Sequence, residues 1–240
     1  MDKASGSDPD NGGSIPSKRA NKTTHKHLNI YYKTGDYTMF PNKIIELIKD
    51  MKTKEILDCH RSGDRVFSVE NKFILKVSND IERLRQEYLK DQWISNYITS
   101  SKPIIFLTEN NQAFYLREYL PGNMLCSDTY LNNPILLVDL LVDAVNIFHN
   151  TKVTDMKYII DPEYTTLIHG DFCLPNILAS DNKIVGFIDL GDAGIGDPWR
   201  DYAWCIWSLE YNLKTNEYTP LLLEKLGIEF DEEKYNKYVN

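Results

Sequence analysis

Apolar positions change their spacing near residue 120 of this 240-residue chain, from short β-like runs to helical intervals. Pro41 opens a helical pattern through Ile44, Ile45, Leu47 and Ile48, proline being tolerated in a first turn that needs no intrahelical donor. Glu55 to Cys59, Arg65 to Glu70 and Phe73 to Val77 then read as strands, the last two joined at Asn71-Lys72. Ser78-Asn79-Asp80 supplies cap-type residues for a charged helix running to about Ile98. Ile104 to Leu107 and Phe114 to Leu120 add two strands, broken by Glu109-Asn110-Asn111. The first half is therefore a five-stranded antiparallel sheet with one helix inserted.

Pro121-Gly122 punctuates the chain, and the pattern turns helical after it. Pro134 to Asn150 is apolar on nearly every face, which predicts a buried central helix. Thr165 to Ile168 is a short strand, and Ile177 to Ala179 with Ile184 to Ile188 form a hairpin about Asp181-Asn182. A tryptophan-rich helix from Pro198 to about Tyr211, started by Asp197, precedes two weaker helices. This is an α+β pattern with three segments: a tail over 1–28, a first lobe over 29–118 and a second over 119–240.

Composition narrows the setting. Residues 1–28, with Ser5-Gly6-Ser7, Gly12-Gly13-Ser14 and almost no large apolar side chains, are expected to be disordered. Cys59, Cys126, Cys173 and Cys205 are far apart and form no Cys-x-x-Cys pair, so a reducing cytoplasm is the simpler setting. The net charge of -8 disfavours nucleic acid as the main partner and mildly favours a cationic one. No membrane span is expected, since the most apolar run, Ile135 to Phe148, is short and carries Asp139 and Asp143. A monomer or weak dimer is expected.

The densest chemistry lies in His169-Gly170-Asp171-Phe172-Cys173-Leu174-Pro175-Asn176, followed thirteen residues later by Asp189 in Gly186-Phe187-Ile188-Asp189-Leu190-Gly191. A hairpin turning at Asp181-Asn182 sets Asn176 near the level of Phe187, with Asp189 about one pleat beyond on the partner strand. Magnesium accepts a few protein oxygens and completes its octahedron with water and substrate phosphates, a demand that an Asn/Asp pair meets. Asp171, on an irregular segment, is free to face the same site as a base that orients a hydroxyl for attack on phosphorus. A metal-dependent hydrolase is the competing reading. It would ordinarily need more ligands, often histidine, and the second half holds only His149 and His169.

These residues, together with Gly196-Asp197-Pro198-Trp199-Arg200-Asp201-Tyr202-Ala203, resemble the aminoglycoside phosphotransferases, especially the 3'-phosphotransferase branch, antibiotic-resistance enzymes with a protein-kinase-like fold. The resemblance runs from about Pro41 to the end of the chain and is strongest from Thr166 to Ser208. It implies Asp171 as the catalytic aspartate, Asn176 and Asp189 as holders of Mg2+ on ATP, and Lys76 in Phe73-Ile74-Leu75-Lys76-Val77 as the lysine on the nucleotide phosphates. Glu87 is implied as the partner of Lys76, with Glu82 in reserve, and Ser62 in His60-Arg61-Ser62-Gly63-Asp64-Arg65 as a phosphate contact. Tyr119 and Leu120, in the interlobe run Glu118-Tyr119-Leu120-Pro121-Gly122, fall nearest the adenine. The implied acceptor is a small cationic molecule, an aminoglycoside; the alternatives are a kinase of another small acceptor on the same fold and a nucleotide-binding non-enzyme with an incomplete substrate site.

On the acceptor side the chain departs from that pattern. Where the 3'-enzymes carry a long helical insertion, only Asn150 to Thr165 intervenes, with Asp155, Asp161 and Glu163 as its acids. Asp192 and Trp207 stand where the family tends to place arginines, and Tyr211 and Asn212 where it places an acidic pair, beside Glu210, the remaining candidate for a substrate contact. From Phe187 onward, eleven acids face five lysines and arginines, a balance that attracts a polycation.

Overall fold

A computed structural model describes residues 39–56 and 64–239. The expected tail over 1–28, Cys59 and Ser62 lie outside the described residues. Helix α1 (Asn42–Ile48) buries Ile44 and Ile48. Strands β1 (Thr53–Ile56), β2 (Asp64–Val69), β3 (Phe73–Ser78), β4 (Pro103–Glu109) and β5 (Gln112–Glu118) form a five-stranded antiparallel sheet in the order β1-β2-β3-β5-β4. The β2–β3 turn comes one residue earlier than its sequence indicates: Glu70 and Asn71 take the left-handed conformation, and the Lys72 N–H closes onto the Val69 carbonyl at 2.9 Å.

Between β3 and β4 runs α2 (Ile81–Ile94), capped by Asp80, whose side chain accepts the Arg83 N–H at 3.1 Å. The helix is shorter than the pattern predicts, because Ser95 to Thr99 turn off toward β4. Ile44, Ile48, Phe67, Val69, Leu75, Val77, Phe114 and Leu116 close the sheet against α1.

The second lobe is built around α4 (Pro134–His149), which buries Leu137, Val138, Leu140, Leu141, Ala144, Val145 and Phe148 while leaving Ile135 and Ile147 exposed. Strands β6 (Asn123–Met124), β8 (Ile177–Ser180) and β9 (Lys183–Phe187) form a three-stranded sheet, with α3 (Asp128–Leu131) following β6. Strands β7 (Leu167–Ile168) and β10 (Gly194–Ile195) pair antiparallel on either side of that hairpin. Helices α5 (Trp199–Leu213), α6 (Thr219–Leu226) and α7 (Glu232–Val239) complete the chain. Asp197 starts α5 as expected, its carboxylate accepting the Trp199 N–H at 2.9 Å.

The β8–β9 hairpin departs from a regular ladder at one point. Leu178 pairs with Gly186 but Ala179 pairs with Ile184, so a bulge puts an extra residue on β9. Asn176 is consequently level with Ile188, whose N–H it accepts at 3.0 Å, and not with Phe187 as a regular hairpin would place it. Asp189 follows immediately.

The lobes are pinned together beside this bulge. The Phe187 N–H donates to the Thr99 carbonyl at 3.1 Å, and a Cβ on Gly186 (φ +152°) would stand 2.6 Å from that carbonyl oxygen. Gly186→Ala is therefore expected to cost about 2 kcal/mol or more, combining a clash with backbone and an unfavourable φ. Urea denaturation of the purified variant checks it.

Candidate active site

Lys76 sits on β3 in the middle of the first sheet, opposite Val66 on β2 and Tyr115 on β5. Its ammonium donates to Glu87 at 2.5 Å and to Asp189 across the interlobe gap. Burial alone would lower the Lys76 pKa, but the Asp189 and Glu87 carboxylates outweigh that and hold it above its ordinary value. The glutamate facing the lysine is Glu87. Glu82 is turned to solvent and accepts from Gln86 at 2.6 Å.

Behind this trio lies a layer that the sequence does not announce. Arg117, 4% exposed on β5, reaches Glu87 at 3.9 Å, Asp91 at 3.8 Å and Asp189 at 3.7 Å. Asp91 also accepts the Tyr115 hydroxyl at 2.5 Å. Burial would raise the Asp189 pKa, yet Lys76 and then Arg117 hold the carboxyl well below the usual range. For Asp91 burial wins, and with Glu87 nearby its pKa is pushed up to about 7.

The His169–Asn176 segment is held from below by Asp201, 0% exposed on α5. Its carboxylate accepts the His169 N–H at 2.9 Å, the Gly170 N–H at 2.8 Å and His149 Nε2 at 2.9 Å. His169 Nε2 lies 3.0 Å from the Ile188 carbonyl, which can only accept, so that nitrogen carries the proton. The segment and the strand leading to Asp189 are thereby tied together. Gly170 (φ +83°) passes so close that a Cβ would meet the Asp192 carbonyl oxygen at 2.3 Å.

Two cations strap the same loops. Arg200 Nε donates to the Gly170 carbonyl at 2.9 Å, with Nη2 3.8 Å from Asp192, and Lys90 on α2 donates to the Gly191 carbonyl at 2.8 Å. Asn176 Nδ2 donates to the Asp171 carbonyl at 2.9 Å and to its carboxylate at 3.1 Å, which leaves Asn176 Oδ1 as the outward acceptor. Asn176 and Asp189 line the same cavity, and as oxygen donors they could hold magnesium, an ion that retains water and substrate oxygens. Among the described residues no cluster of three or more His, Cys, Asp or Glu side chains forms a metal site.

Two cavities meet at Asp171. One, of about 650 Å³, runs between the lobes past Lys76, Glu87, Arg117, Asn176 and Asp189. Its outer part is an apolar slot between Ile56, Val66 and Ile74 above and Met124, Leu178 and Ile188 below, closed at the interlobe edge by Tyr119 and Leu120. The Tyr119 N–H is committed to the Lys72 carbonyl at 2.7 Å. The other cavity, of about 330 Å³, is lined by Gly170, Asp171, Asp192, Arg200, Trp204, Lys237 and Tyr238. Asp171 and Asp192 border both.

The structure does not bring every expected acid to this place. Glu210 lines neither cavity, and its carboxylate accepts the Thr219 hydroxyl at 2.7 Å. Asp155 is taken up by the Trp93 indole at 2.6 Å and the Tyr97 hydroxyl, and Asp161 accepts the Glu163 N–H at 3.1 Å.

A five-stranded lobe bearing a buried lysine–glutamate pair, set over a helical lobe with this hairpin, gives the chain a protein-kinase-like fold. The profile of the phosphotransferase enzyme family (APH) matches residues 159–235. The probable aminoglycoside 3'-phosphotransferase of Lactococcus lactis subsp. lactis (strain IL1403) is 26% identical over 234 residues, covering 78% of this chain and 88% of its own. The aminoglycoside 3'-phosphotransferase of Enterococcus faecalis is 25% identical over 207 residues, covering 67% of this chain and 77% of its own. Among solved structures, aminoglycoside phosphotransferase APH(3'')-Id from Streptomyces rimosus ATCC10970 aligns with a TM-score of 0.70 at 17% identity, covering 85% of this chain and 96% of its own. The chain is thus similar to aminoglycoside phosphotransferases in the profile over its second lobe, in these relatives and in fold. Among the described residues no helix is long and apolar enough to cross a membrane.

Two outcomes follow from the buried acids. Asp201→Ala leaves two buried backbone N–H groups without an acceptor, so denaturation should show a loss of about 3 kcal/mol or more. Asp91 keeps its proton in the folded state up to about pH 7, whereas in the unfolded chain it releases it near the ordinary carboxylate value of about 4. Between those values the folded state binds the extra proton, so stability falls as pH rises, by up to about 1.4 kcal/mol per pH unit. Denaturation curves from pH 4.5 to 7.5, set against those of Asp91→Asn, should show this slope in the parent chain and its loss in the variant.

Proposed function

We propose that the enzyme transfers the γ-phosphoryl group of ATP, bound with Mg2+, to a hydroxyl of an aminoglycoside, as a 3'-type enzyme. The observation that carries this reading is the position of Asp171 on the wall shared by the two cavities, where a donor in one and an acceptor in the other come together. The names of the Lactococcus and Enterococcus relatives support the 3'-type acceptor. The Streptomyces enzyme has been solved with ADP and streptomycin, which supports a nucleotide donor and an aminoglycoside acceptor.

In this reading the apolar slot takes the purine, with the Tyr119 carbonyl and Leu120 backbone along its edge. Lys76, fixed by Glu87, grips the nucleotide phosphates. Asn176 and Asp189 would hold Mg2+, which neutralises charge on the β- and γ-phosphates. Asp171, steadied by the Asn176 amide, orients the acceptor hydroxyl and takes its proton. The hydroxyl oxygen bonds to the γ-phosphorus as the bond from that phosphorus to the β,γ-bridging oxygen breaks, and the diphosphate leaves with the electron pair. The rate gain comes from positioning and charge neutralisation.

A second reading, a kinase for another small acceptor on the same fold, draws on one observation: Arg200 and Lys237 border the acceptor cavity and suit an anionic substituent. An acceptor screen that includes streptomycin, hygromycin B and anionic sugars separates the two by diphosphate release. Asp171→Asn should lower kcat roughly 100-fold or more while nucleotide affinity stays within about twofold. Asp189→Asn should weaken both turnover and nucleotide affinity in calorimetric titrations with and without Mg2+. Retention of most activity by Asp171→Asn would contradict the assigned base.

A further inference from the structure

Arg117 carries hydrogen-bonding capacity that the described chain leaves unused. It lies near the end of β5, opposite Ile74 on β3, and so on the face of the sheet where Lys76 stands opposite Tyr115. Among the described residues it is the one buried arginine. Three carboxylates surround it, Glu87 at 3.9 Å, Asp91 at 3.8 Å and Asp189 at 3.7 Å. All three distances exceed that of a hydrogen bond, and among the described residues Nε and Nη1 have no hydrogen-bond partner. The guanidinium is neutralised but not hydrogen-bonded, a costly state for a buried group that only donates. Unmade bonds of this kind point to a role in binding or catalysis.

The place where the missing bond would form is marked by Asp189 Oδ1. Lys76 Nζ donates to this oxygen, and Arg117 Nη2 stands 3.7 Å from it. The same two cations flank Glu87 Oε1, Lys76 Nζ at 2.5 Å and Arg117 Nη1 at 3.9 Å. An ammonium and a guanidinium thus converge on two carboxylate oxygens. One belongs to a buried glutamate, the other to an aspartate whose side chain is 45% exposed. Lys76, Arg117 and Asp189 all line the interlobe cavity, so the Asp189 oxygen is the one that a ligand's anionic oxygen can replace. Glu87 and Asp91 stay behind as the buried counter-charges, Asp91 being held by the Tyr115 hydroxyl at 2.5 Å.

We propose that Arg117 is a second phosphate-binding cation of the nucleotide site. When Asp189 turns to Mg2+ on the bound nucleotide, a non-bridging phosphate oxygen takes the place of its Oδ1. That oxygen accepts from Lys76 Nζ on one side and from the Arg117 guanidinium on the other. Charge-assisted bonds to a planar guanidinium suit phosphate in particular, so the pair separates phosphorylated from unphosphorylated nucleosides. The inference rests on the nucleotide-donor reading and adds a binding residue to it.

The test is calorimetric titration of the full chain with ADP and Mg2+, and separately with adenosine, for the parent, Arg117→Met and Arg117→Lys. Arg117→Met should weaken ADP binding roughly tenfold to fiftyfold, the effect of losing a charge-assisted hydrogen bond, while adenosine affinity stays within about twofold. Arg117→Lys should recover part of the ADP affinity. Equal losses for ADP and adenosine, or no loss for either, would overturn the proposal. Repeating the substitution in Lys76→Met separates direct contact from an effect passed through the lysine. A further loss of ADP affinity of roughly threefold or more supports contact, and no further loss overturns it.

Because Arg117→Met leaves buried acids without their cation, Asp91→Asn/Arg117→Met measured against Asp91→Asn gives the same comparison in a less charged core. Should neither variant fold, NMR of the isotope-labelled arginine side chains of the parent decides. The guanidinium signal best protected from solvent exchange should shift at saturating ADP and not with adenosine, and a signal that ADP leaves unmoved overturns the proposal. If the parent binds no nucleotide, the donor reading fails, and tripolyphosphate becomes the probe. Tripolyphosphate binding that Arg117→Met abolishes supports the cation pair, and no binding overturns it.

Discussion

A buried lysine must be paired, and the pairing of Lys76 organises both lobes. Its ammonium, inside the cleft, is satisfied by Glu87 from α2 and Asp189 from the far end of the β8–β9 hairpin. Leaving such a cation unpaired in a low-dielectric site would cost several kcal/mol. The placement of β3, α2 and the hairpin therefore has to agree. Arg117 adds a second cation behind the first, so Glu87 and Asp91, both buried, and Asp189, open to the cleft, face two positive charges. In the proposed reaction Asp189 would turn to Mg2+ and Lys76 to the nucleotide phosphates, while Glu87 and Asp91 stay beside Arg117.

The acceptor side is organised by one carboxylate instead of a charge cluster. Asp201 holds consecutive backbone N–H groups of His169 and Gly170, fixing the bend from which Asp171 projects. Arg200, one residue earlier on the same helix, reaches the Gly170 carbonyl. The first turn of α5 thus grips the loop by both its donors and its acceptors.

Much of this was legible in the sequence, and the limits have physical causes. Strand and helix order follows from hydrophobic spacing, and His169 to Asn176 with Asp189 stood out because special residues cluster there within one hairpin. The register of that hairpin was off by one residue because a bulge at Val185 has no strong side-chain signal. Arg117 and Asp91 read as ordinary charges on an amphipathic strand and helix; only the approach of three elements buries them. The apolar slot is assembled from single residues on β1, β2, β3, β6 and β8, none unusual alone. Glu210 looked close to the acceptor by sequence position, but it lines neither cavity at Asp171 and is held by Thr219.

The most direct test follows the phosphorus itself. The enzyme is incubated with Mg2+, ATP labelled at the γ-phosphate and an aminoglycoside such as streptomycin or hygromycin B, and the products are separated. The predicted result is label on an acceptor hydroxyl in one-to-one proportion to the ADP formed. Label recovered only as inorganic phosphate, with every aminoglycoside unmodified, would contradict it.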